Sequence, residues 1–214
     1  NGVARLDLGN DDLARGIALQ SDGKIVVAGV TVLDFFPRVG VVRLLSNGLA
    51  DDSFGDNGIL TIEPGPAGNF CTDVLAQPDG GILLSGMLEN TDFRDFFLLR
   101  LLPDGSPDIS FGNAGQVISS VSPTNDNAYR MAVDASGDIL LAGTSERTIN
   151  ADFALFRYSD DGHPDTDFGQ NGVVLTDVDA SFDLLYKMLL LPDEKILCAG
   201  SAYKAAGSGF EFYP

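Results

Sequence analysis

The sequence predicts an all-β chain built as a β-propeller of four-stranded antiparallel blades. Three observations carry this prediction. A tight turn followed by a short apolar run occurs four times, and the copies lie 57 residues apart at every step. The apolar runs do not alternate with polar residues, which is typical of strands covered on both faces. The 25 Gly and 10 Pro residues suit short strands joined by tight turns.

The clearest copy of the repeated motif runs from Gln77 to Gly86, where the turn Pro78-Asp79-Gly80 leads into an apolar strand. The corresponding runs of the other copies end at Gly29, Gly143 and Gly200. A fixed period of this length over the whole chain indicates a repeat architecture.

Each repeat contains four short runs, which we name strands a, b, c and d in chain order. In the first repeat we expect them at Ala14 to Gln20, Lys24 to Ala28, Val39 to Leu45 and Gly58 to Ile62. The last repeat ends with a strand c at Phe210 to Tyr213. Four antiparallel strands per repeat, buried on both faces, are typical of a propeller blade.

The two ends of the sequence indicate how a ring would close. Residues Asn1 to Leu6 match the start of a strand d, one residue out of phase. This gives one predicted domain over residues 1–214, with four blades at about 12–62, 69–119, 126–176 and 183–214 plus 1–8. Pairing of the N-terminal strand d with the C-terminal strand c would close the ring and remove both exposed edges. The alternative is that the chain forms half of an eight-bladed ring.

The charge of the chain limits its partners. With 31 acidic and 13 basic residues the net charge is −18, which repels nucleic acids and anionic membranes. No apolar run approaches the ~20 residues of a membrane-spanning helix. Cys71 and Cys198 lie at different positions of the repeat, which favours buried thiols over a disulfide.

Three motifs recur in phase: the run Ala18 to Gly29, the strand Asp152 to Arg157, and the turn Asp51 to Gly55. This combination resembles the delta-60 repeat family of bacterial proteins. The resemblance implies a propeller-like repeat in large proteins that are often secreted or surface-associated and have no assigned activity. We therefore expect an extracytoplasmic location. Because the sequence starts at Asn1, either the N-terminus was processed, for example by removal of a secretory signal, or the sequence is an excerpt. The fourth repeat departs from the pattern, since Glu194 replaces the turn glycine and Pro214 stands where other repeats carry Arg.

The segments between strands b and c, such as Thr31 to Arg38 in the first repeat, keep their length but vary in sequence, which predicts variable loops. They share one predicted propeller face with the d-to-a loops. Variable loops on a fixed scaffold usually carry binding chemistry. We therefore predict that this face is functional. Its candidate contact residues are Phe35, Phe36, Phe93, Arg147 and Tyr203.

One acidic or amide side chain precedes strand a in every repeat: Asp12, Asn69, Asp126 and Asp183. In a ring, these four side chains would surround the mouth of the central channel. Calcium takes six to eight oxygen ligands, so such a set could hold the ion. The alternative is that each side chain caps its own loop by an Asx turn. The fold requires no cofactor.

An arginine lies in the middle of three apolar strands c, and each has an aspartate eight residues further on. The three pairs are Arg43 and Asp51, Arg100 and Asp108, and Arg157 and Asp165. A guanidinium among apolar strands needs a partner, and a carboxylate on the next turn can accept two hydrogen bonds from it. We interpret these pairs as structural staples.

No catalytic residues are predicted. His163 is the only histidine and lies at a turn position occupied by Leu49 and Ser106 in other repeats. The first hypothesis is a non-enzymatic, extracytoplasmic binding or assembly module that contacts a protein or glycan partner. The second is a carbohydrate-active propeller enzyme that uses Asp residues at the channel mouth. The third is a structural subunit that self-associates through the ring junction.

Overall fold

The computed structural model describes residues 2–90, 92–147, 150–178 and 182–203, and the backbone of residues 210–213. This part of the chain contains fifteen strands and no helix. It therefore holds no helical segment with the length and apolarity of a membrane span. The all-β fold class predicted from the sequence is confirmed.

The strands form separate sheets in which strands a to d follow one another in chain order. The first sheet contains β1 (Asp12–Leu19), β2 (Ile25–Leu33), β3 (Phe36–Leu44) and β4 (Ile59–Ile62). The second contains β5 (Asn69–Ala76), β6 (Ile82–Glu89), β7 (Arg94–Leu101) and β8 (Gln116–Ser119). The third contains β9 (Asp126–Val133), β10 (Ile139–Glu146), β11 (Ala151–Tyr158) and β12 (Val173–Thr176). The fourth contains β13 (Asp183–Leu190), β14 (Ile196–Tyr203) and β15 (Phe210–Tyr213).

Strands b and c are longer than the sequence predicts. In the first sheet their antiparallel register continues as far as the pair Leu33 and Phe36, so only Asp34 and Phe35 form the turn. The segment Thr31 to Arg38, predicted as a variable loop, is therefore mostly the end of a hairpin. The sequence prediction was wrong here because backbone pairing continues beyond the apolar run that marked the strand.

A β-bulge recurs in strand a. The register shifts between Ala14 and Gly16 in β1, between Cys71 and Asp73 in β5, and between Leu185 and Lys187 in β13. One extra residue reverses the alternation of side chains that follows it. As a result, residues three apart, such as Cys71 and Val74, both enter the same hydrophobic core.

The chain divides into two compact units, residues 1–91 with 97–117 and residues 92–96 with 118–214. In the first unit, β5 packs against β1, β2 and β3, and their buried cluster includes Val26, Ala28, Cys71, Val74 and Leu84. In the second unit, β13 packs against β9, β10 and β11, and its cluster includes Leu140, Ala142, Phe153, Leu185 and Met188. In both units, strand a of one sheet covers a face of the sheet before it.

Residues 2–8, where the sequence predicts a strand d, form no strand in the structure. A strand needs a neighbour for its backbone hydrogen bonds, and this segment instead lies beside the first sheet. Leu8 donates its backbone N–H to Asp12 Oδ2 at 2.9 Å. Among the described residues the fourth sheet has three strands, and Pro214 lies outside them. Ring closure and a single domain over residues 1–214 stay predictions.

Each of the three arginines in strands c contacts both a carboxylate and an aromatic ring. Arg43 Nε lies 2.8 Å from Asp51 Oδ2, and its guanidinium carbon lies 4.5 Å from the centre of the Phe54 ring. Arg43 also donates to the carbonyl of Pro103, in the next repeat. The same arrangement recurs at Arg100, Asp108 and Phe111, and at Arg157, Asp165 and Phe168.

The staples differ in burial. The side chains of Arg43 and Asp51 are 3% and 6% exposed, whereas those of Arg100 and Asp108 are 16% and 17% exposed. Burial alone would raise the pKa of Asp51, but hydrogen bonds from Ser53 and the charge of Arg43 outweigh it and lower the pKa to about 2. Removing one member of a buried ion pair costs more than removing one at the surface, because the remaining charge is left without a partner.

We expect Asp51→Asn to lower the free energy of unfolding by about 3 kcal/mol, because it leaves the Arg43 guanidinium buried without a counter-charge. The matched variant Asp108→Asn should cost about 1 kcal/mol, since water reaches that pair more easily. Urea unfolding followed by far-UV circular dichroism measures both values. Equal losses for the two variants would contradict the role of burial.

The stability that Asp51 contributes should also depend on pH. Because its pKa is lower in the folded chain, the contribution is present above the unfolded pKa of 3.8 and is lost as the pH falls towards about 2. The difference in unfolding free energy between the wild type and Asp51→Asn should therefore shrink by about 2 kcal/mol between pH 6 and pH 2. A difference that stays constant over this range would refute the lowered pKa.

Candidate functional site

The side chains that precede strand a each cap the loop before them. Asn69 Oδ1 accepts the backbone N–H of Gly65 at 2.8 Å, and its amide nitrogen donates to the carbonyl of Ala67 at 2.8 Å. Asp183 Oδ2 accepts the N–H of Val178 at 2.5 Å. Asp12 contacts Leu8 in the same way. Each of these oxygens lies four or five residues along the chain from the backbone N–H that donates to it. Each carboxylate or amide therefore closes the turn that leads into its own strand.

Asp126 is the most completely described of these caps. Its Oδ2 accepts the N–H groups of Val121 at 2.7 Å and Ser122 at 3.3 Å, and the side chain is fully buried. Burial raises the pKa of the Asp126 carboxyl, and the hydrogen bonds from the loop oppose this shift without cancelling it. Asp183 and Asn69 are buried too, whereas Asp12 is exposed.

These contacts occupy one oxygen of each of the four side chains. In the described ranges of the chain, no three His, Cys, Asp or Glu side chains come close enough together to hold a metal ion. Two of the four residues, Asp12 and Asn69, belong to the first unit, and Asp126 and Asp183 belong to the second. Calcium binding by this set stays a prediction.

The turn between strands b and c of the first sheet presents two aromatic side chains. Phe35 is 92% exposed and Phe36 is 57% exposed. Asp34 and Phe35 have φ angles of 51° and 69°, values that Gly and Asn adopt most readily. A hollow of about 140 Å³ lies beside Phe36 and is lined by Arg38, Glu63, Pro66 and Ala67. Arg38 Nε lies 2.7 Å from Glu63 Oε1 there.

The other predicted contact residues lie in the second unit. Phe93 and Tyr203 are exposed, and the backbone N–H of Tyr203 donates to the carbonyl of Phe182 at 3.1 Å. The Arg147 side chain is 51% exposed, and its Nη2 lies 3.2 Å from Asp152 Oδ2. Each of these residues thus lies at a loop or strand end where a partner could reach it.

The structure also brings together polar residues that sequence reasoning missed. Glu146 accepts hydrogen bonds from Asn125 Nδ2 at 2.9 Å and Asn127 Nδ2 at 3.4 Å, and Thr124 donates to its carbonyl. Phe182, in the next d-to-a loop, is an additional exposed aromatic residue. The Glu146 network depends on the pairing of strands a and b at the end of the hairpin, which the apolar run alone did not place. Phe182 could have been found by scanning the d-to-a loops for aromatic residues.

The structure describes the surroundings of the histidine and of the two cysteines. His163 is exposed at a turn, with its Nδ1 3.0 Å from Asp161 Oδ1. Burial raises the pKa of the Cys71 thiol to about 12. Cys71 and Cys198 are free cysteines. The thiol of Cys71 therefore stays protonated near neutral pH, where it is a poor nucleophile.

A family described as a domain of unknown function (DUF5122) beta-propeller matches residues 20–54 and 77–111. In each of the first two repeats, the match covers the turn between strands a and b, strands b and c, and the turn after strand c that carries the staple aspartate. The chain is built from β-propeller-like repeats. No curated protein matches it.

Among solved structures, the chain is similar to MPT-4, a mannose phosphorylase from Leishmania mexicana solved in complex with phosphate ion. The identity is 13% and the TM-score is 0.42, and the match covers 88% of this chain and 55% of that one. The chain thus spans about half the length of the phosphorylase. A likeness at this level says nothing about the activity of the chain.

The two interpretations of Asp126 predict different effects of substitution. If Asp126 only caps its loop, Asp126→Asn keeps an oxygen for the Val121 N–H, as Asn69 does for Gly65, and it removes a buried charge. Because folding raises the pKa of Asp126, the ionised carboxylate costs stability once the pH rises above the folded pKa. At pH 7 we therefore expect Asp126→Asn to leave the free energy of unfolding unchanged or slightly higher, and Asp126→Ala to lower it by about 1–2 kcal/mol.

Thermal unfolding of the wild type in calcium chloride and in chelator completes this test. A capping role predicts the same melting temperature in both. A melting temperature several degrees higher with calcium, with the difference lost in Asp126→Asn, would instead support the ion site.

Proposed function

We propose that the protein is a non-enzymatic, extracytoplasmic binding module whose b-to-c turns and d-to-a loops contact a protein or glycan partner. The observation that carries the proposal is the turn at Asp34 and Phe35. A two-residue hairpin turn with positive φ at both positions favours Asn-Gly or Asp-Gly, because these residues adopt that backbone without steric cost. Here a phenylalanine takes the position that suits glycine.

Burial offsets little of the strain at Phe35. A bulky residue at positive φ costs on the order of 1 kcal/mol, and such strain persists where the fold or a function requires it. With 92% of its surface exposed, Phe35 buries almost no apolar area in return. Contact with a partner would give the phenyl ring the burial that it lacks in the free chain.

The neighbouring hollow fits the same role. Phe36 supplies a flat apolar surface, and the ion pair of Arg38 and Glu63 supplies donors and acceptors within the same 140 Å³. An aromatic face beside charged hydrogen-bonding groups suits the C–H face and hydroxyl groups of a sugar, and also suits an apolar side chain of a peptide. Hydrogen-bonding and apolar groups thus lie within reach of one ligand.

The net charge narrows the chemistry of the partner. At −18, the chain repels anionic glycans and acidic proteins over distances of about 10 Å at moderate salt. Neutral glycans and basic protein segments therefore fit best. The resemblance to the delta-60 repeat family supports an extracytoplasmic location.

Phe35→Gly should separate binding from stability. We expect the melting temperature to stay the same or rise, because glycine removes the strain at φ 69° and little packing is lost. Binding is measured on an array of neutral oligosaccharides and on a library of tethered basic peptides. The affinity of Phe35→Gly for the probe that the wild type recognises should be at least tenfold lower, which corresponds to about 1.4 kcal/mol.

Leu49→Ser is the matched control, because Leu49 is an exposed apolar residue on a turn of the same unit. It should leave probe binding unchanged. Equal binding by wild type and Phe35→Gly, or no binding to either library, would refute the role of this turn. Release of cleaved sugar from the array would favour the carbohydrate-active enzyme instead.

A further inference from the structure

A polar hollow lies beside the last strand of the third sheet. Its volume is about 660 Å³, and all of its lining residues belong to the second compact unit. Sites for small molecules typically have volumes of about 300–1,000 Å³. The hollow therefore has room for a ligand larger than a simple ion.

Four polar side chains line the hollow, and they come from three segments of the chain. Ser120 follows β8, Arg147 follows β10, and Gln170 and Asn171 lie in the turn before β12. All four residues are exposed, so a ligand in the hollow reaches them from solvent. A guanidinium, a hydroxyl and two amides together offer several hydrogen-bond donors and acceptors to one ligand.

The apolar part of the lining comes from β12. Val173, Val174 and Leu175 line the hollow and are half-buried. Among the described strands β12 pairs with β11 alone, so the backbone groups on its other side are available to a ligand. Apolar side chains beside donors and acceptors suit a sugar, because its ring carries C–H groups as well as hydroxyl groups.

The charge of this lining is opposite to the charge of the chain. Acidic residues outnumber basic ones by 31 to 13 in the sequence, yet the residues that line this hollow include Arg147 and no acidic residue. The hollow beside Phe36 differs, because Glu63 forms part of its lining. The lining in the second unit therefore favours a ligand that carries negative charge.

The surroundings of Arg147 limit how much negative charge the ligand carries. Its Nη2 lies 3.2 Å from Oδ2 of Asp152, which is buried. A guanidinium has five N–H donors, so donors remain for a second partner, although Asp152 already balances one unit of charge. A carboxylate with a single charge therefore fits better than a phosphate, whose charge near neutral pH is about −1.5 to −2.

The polar side chains of the hollow are specific to their repeats, whereas the backbone that supports them recurs. The turn before β12 has a counterpart 57 residues earlier, and the positive φ angles of the two turns agree within a few degrees. At the same spacing, however, Glu63 takes the place of Ser120 and Asn90 takes the place of Arg147. The fold thus forms the turn without this set of side chains.

We propose that the hollow lined by Ser120, Arg147, Gln170 and Asn171 binds a uronic acid, which is a sugar that carries a carboxylate. The ligand is a free monosaccharide or one residue of a glycan. Its carboxylate accepts hydrogen bonds from Arg147, its hydroxyl groups contact the hydroxyl and the amides, and its ring packs on β12. At physiological salt, charges are screened beyond about 8 Å, so the ligand responds mainly to the groups around the hollow.

This inference goes beyond the proposed function, because it adds a site in the second unit whose ligand is acidic. The turn at Phe35 is tested with neutral and basic probes, so either proposal can fail while the other holds.

NMR titration of the isotopically labelled chain with glucuronic acid, glucose and inorganic phosphate tests the proposal. At pH 7 and physiological salt, glucuronic acid should bind at least about tenfold more tightly than glucose or phosphate. A trisaccharide of uronic acids and a short peptide of glutamates distinguish the sources of the carboxylate. Tighter binding of the trisaccharide than of glucuronic acid indicates a glycan, and tighter binding of the peptide than of either uronic acid probe would overturn the proposal.

Two variants examine the lining without leaving a buried charge. The double variant Arg147→Gln, Asp152→Asn removes both members of the ion pair, so the fold keeps its balance of charge while the affinity for glucuronic acid falls about tenfold, to the level of glucose. Asn171→Ala should weaken binding about threefold. The fold tolerates that alanine, because Ala114 has the same φ angle of 53° at the equivalent position.

Lys195→Gln is the matched control. Its side chain is exposed and lies 2.6 Å from Asp193, so it also removes one paired cation from the second unit. It should bind glucuronic acid as the wild type does. Equal affinity for glucuronic acid and glucose, no binding of either, or binding that survives the double substitution would overturn the proposal.

Discussion

The structure depends on one constraint: within each compact unit, an apolar face of one sheet must be covered by the sheet that follows it. Strand a meets this requirement on one side, because its recurring bulge turns residues such as Cys71 and Val74 towards the preceding sheet. Strand b meets it on the other, with Val26 and Ala28 towards the following one. The 57-residue period keeps these surfaces in register, so the packing of one pair of sheets specifies the next.

The turns after strands c, at one end of the sheets, differ in structural role from the b-to-c hairpins at the other end. The turns after strands c hold an ion pair and an aromatic ring in almost the same geometry in three repeats. The guanidinium carbon lies 4.5, 4.7 and 4.8 Å from the centre of the ring. All three turns keep the aspartate and the phenylalanine, because a guanidinium among apolar strands needs a carboxylate partner. The b-to-c hairpins only have to close, so their tips can carry residues such as Phe35 that the fold does not need.

Repetition is what made much of the fold predictable. Four copies of Gly-bounded apolar runs located the strands, and the spacing of eight residues between Arg43 and Asp51 indicated a contact that is present in the structure. The lengths of strands b and c were not predictable, because the residues from Thr31 to Arg38 pair through their backbones and show no apolar pattern. The exposure of Ile17 was not predictable for another reason: its side chain is apolar like the buried residues at the equivalent positions of later repeats, such as Val74. The side chains that cap the loops were predictable only in part. Their residue types suggested either an ion site or a turn, and only hydrogen bonds such as the one from Gly65 to Asn69 describe the capping geometry.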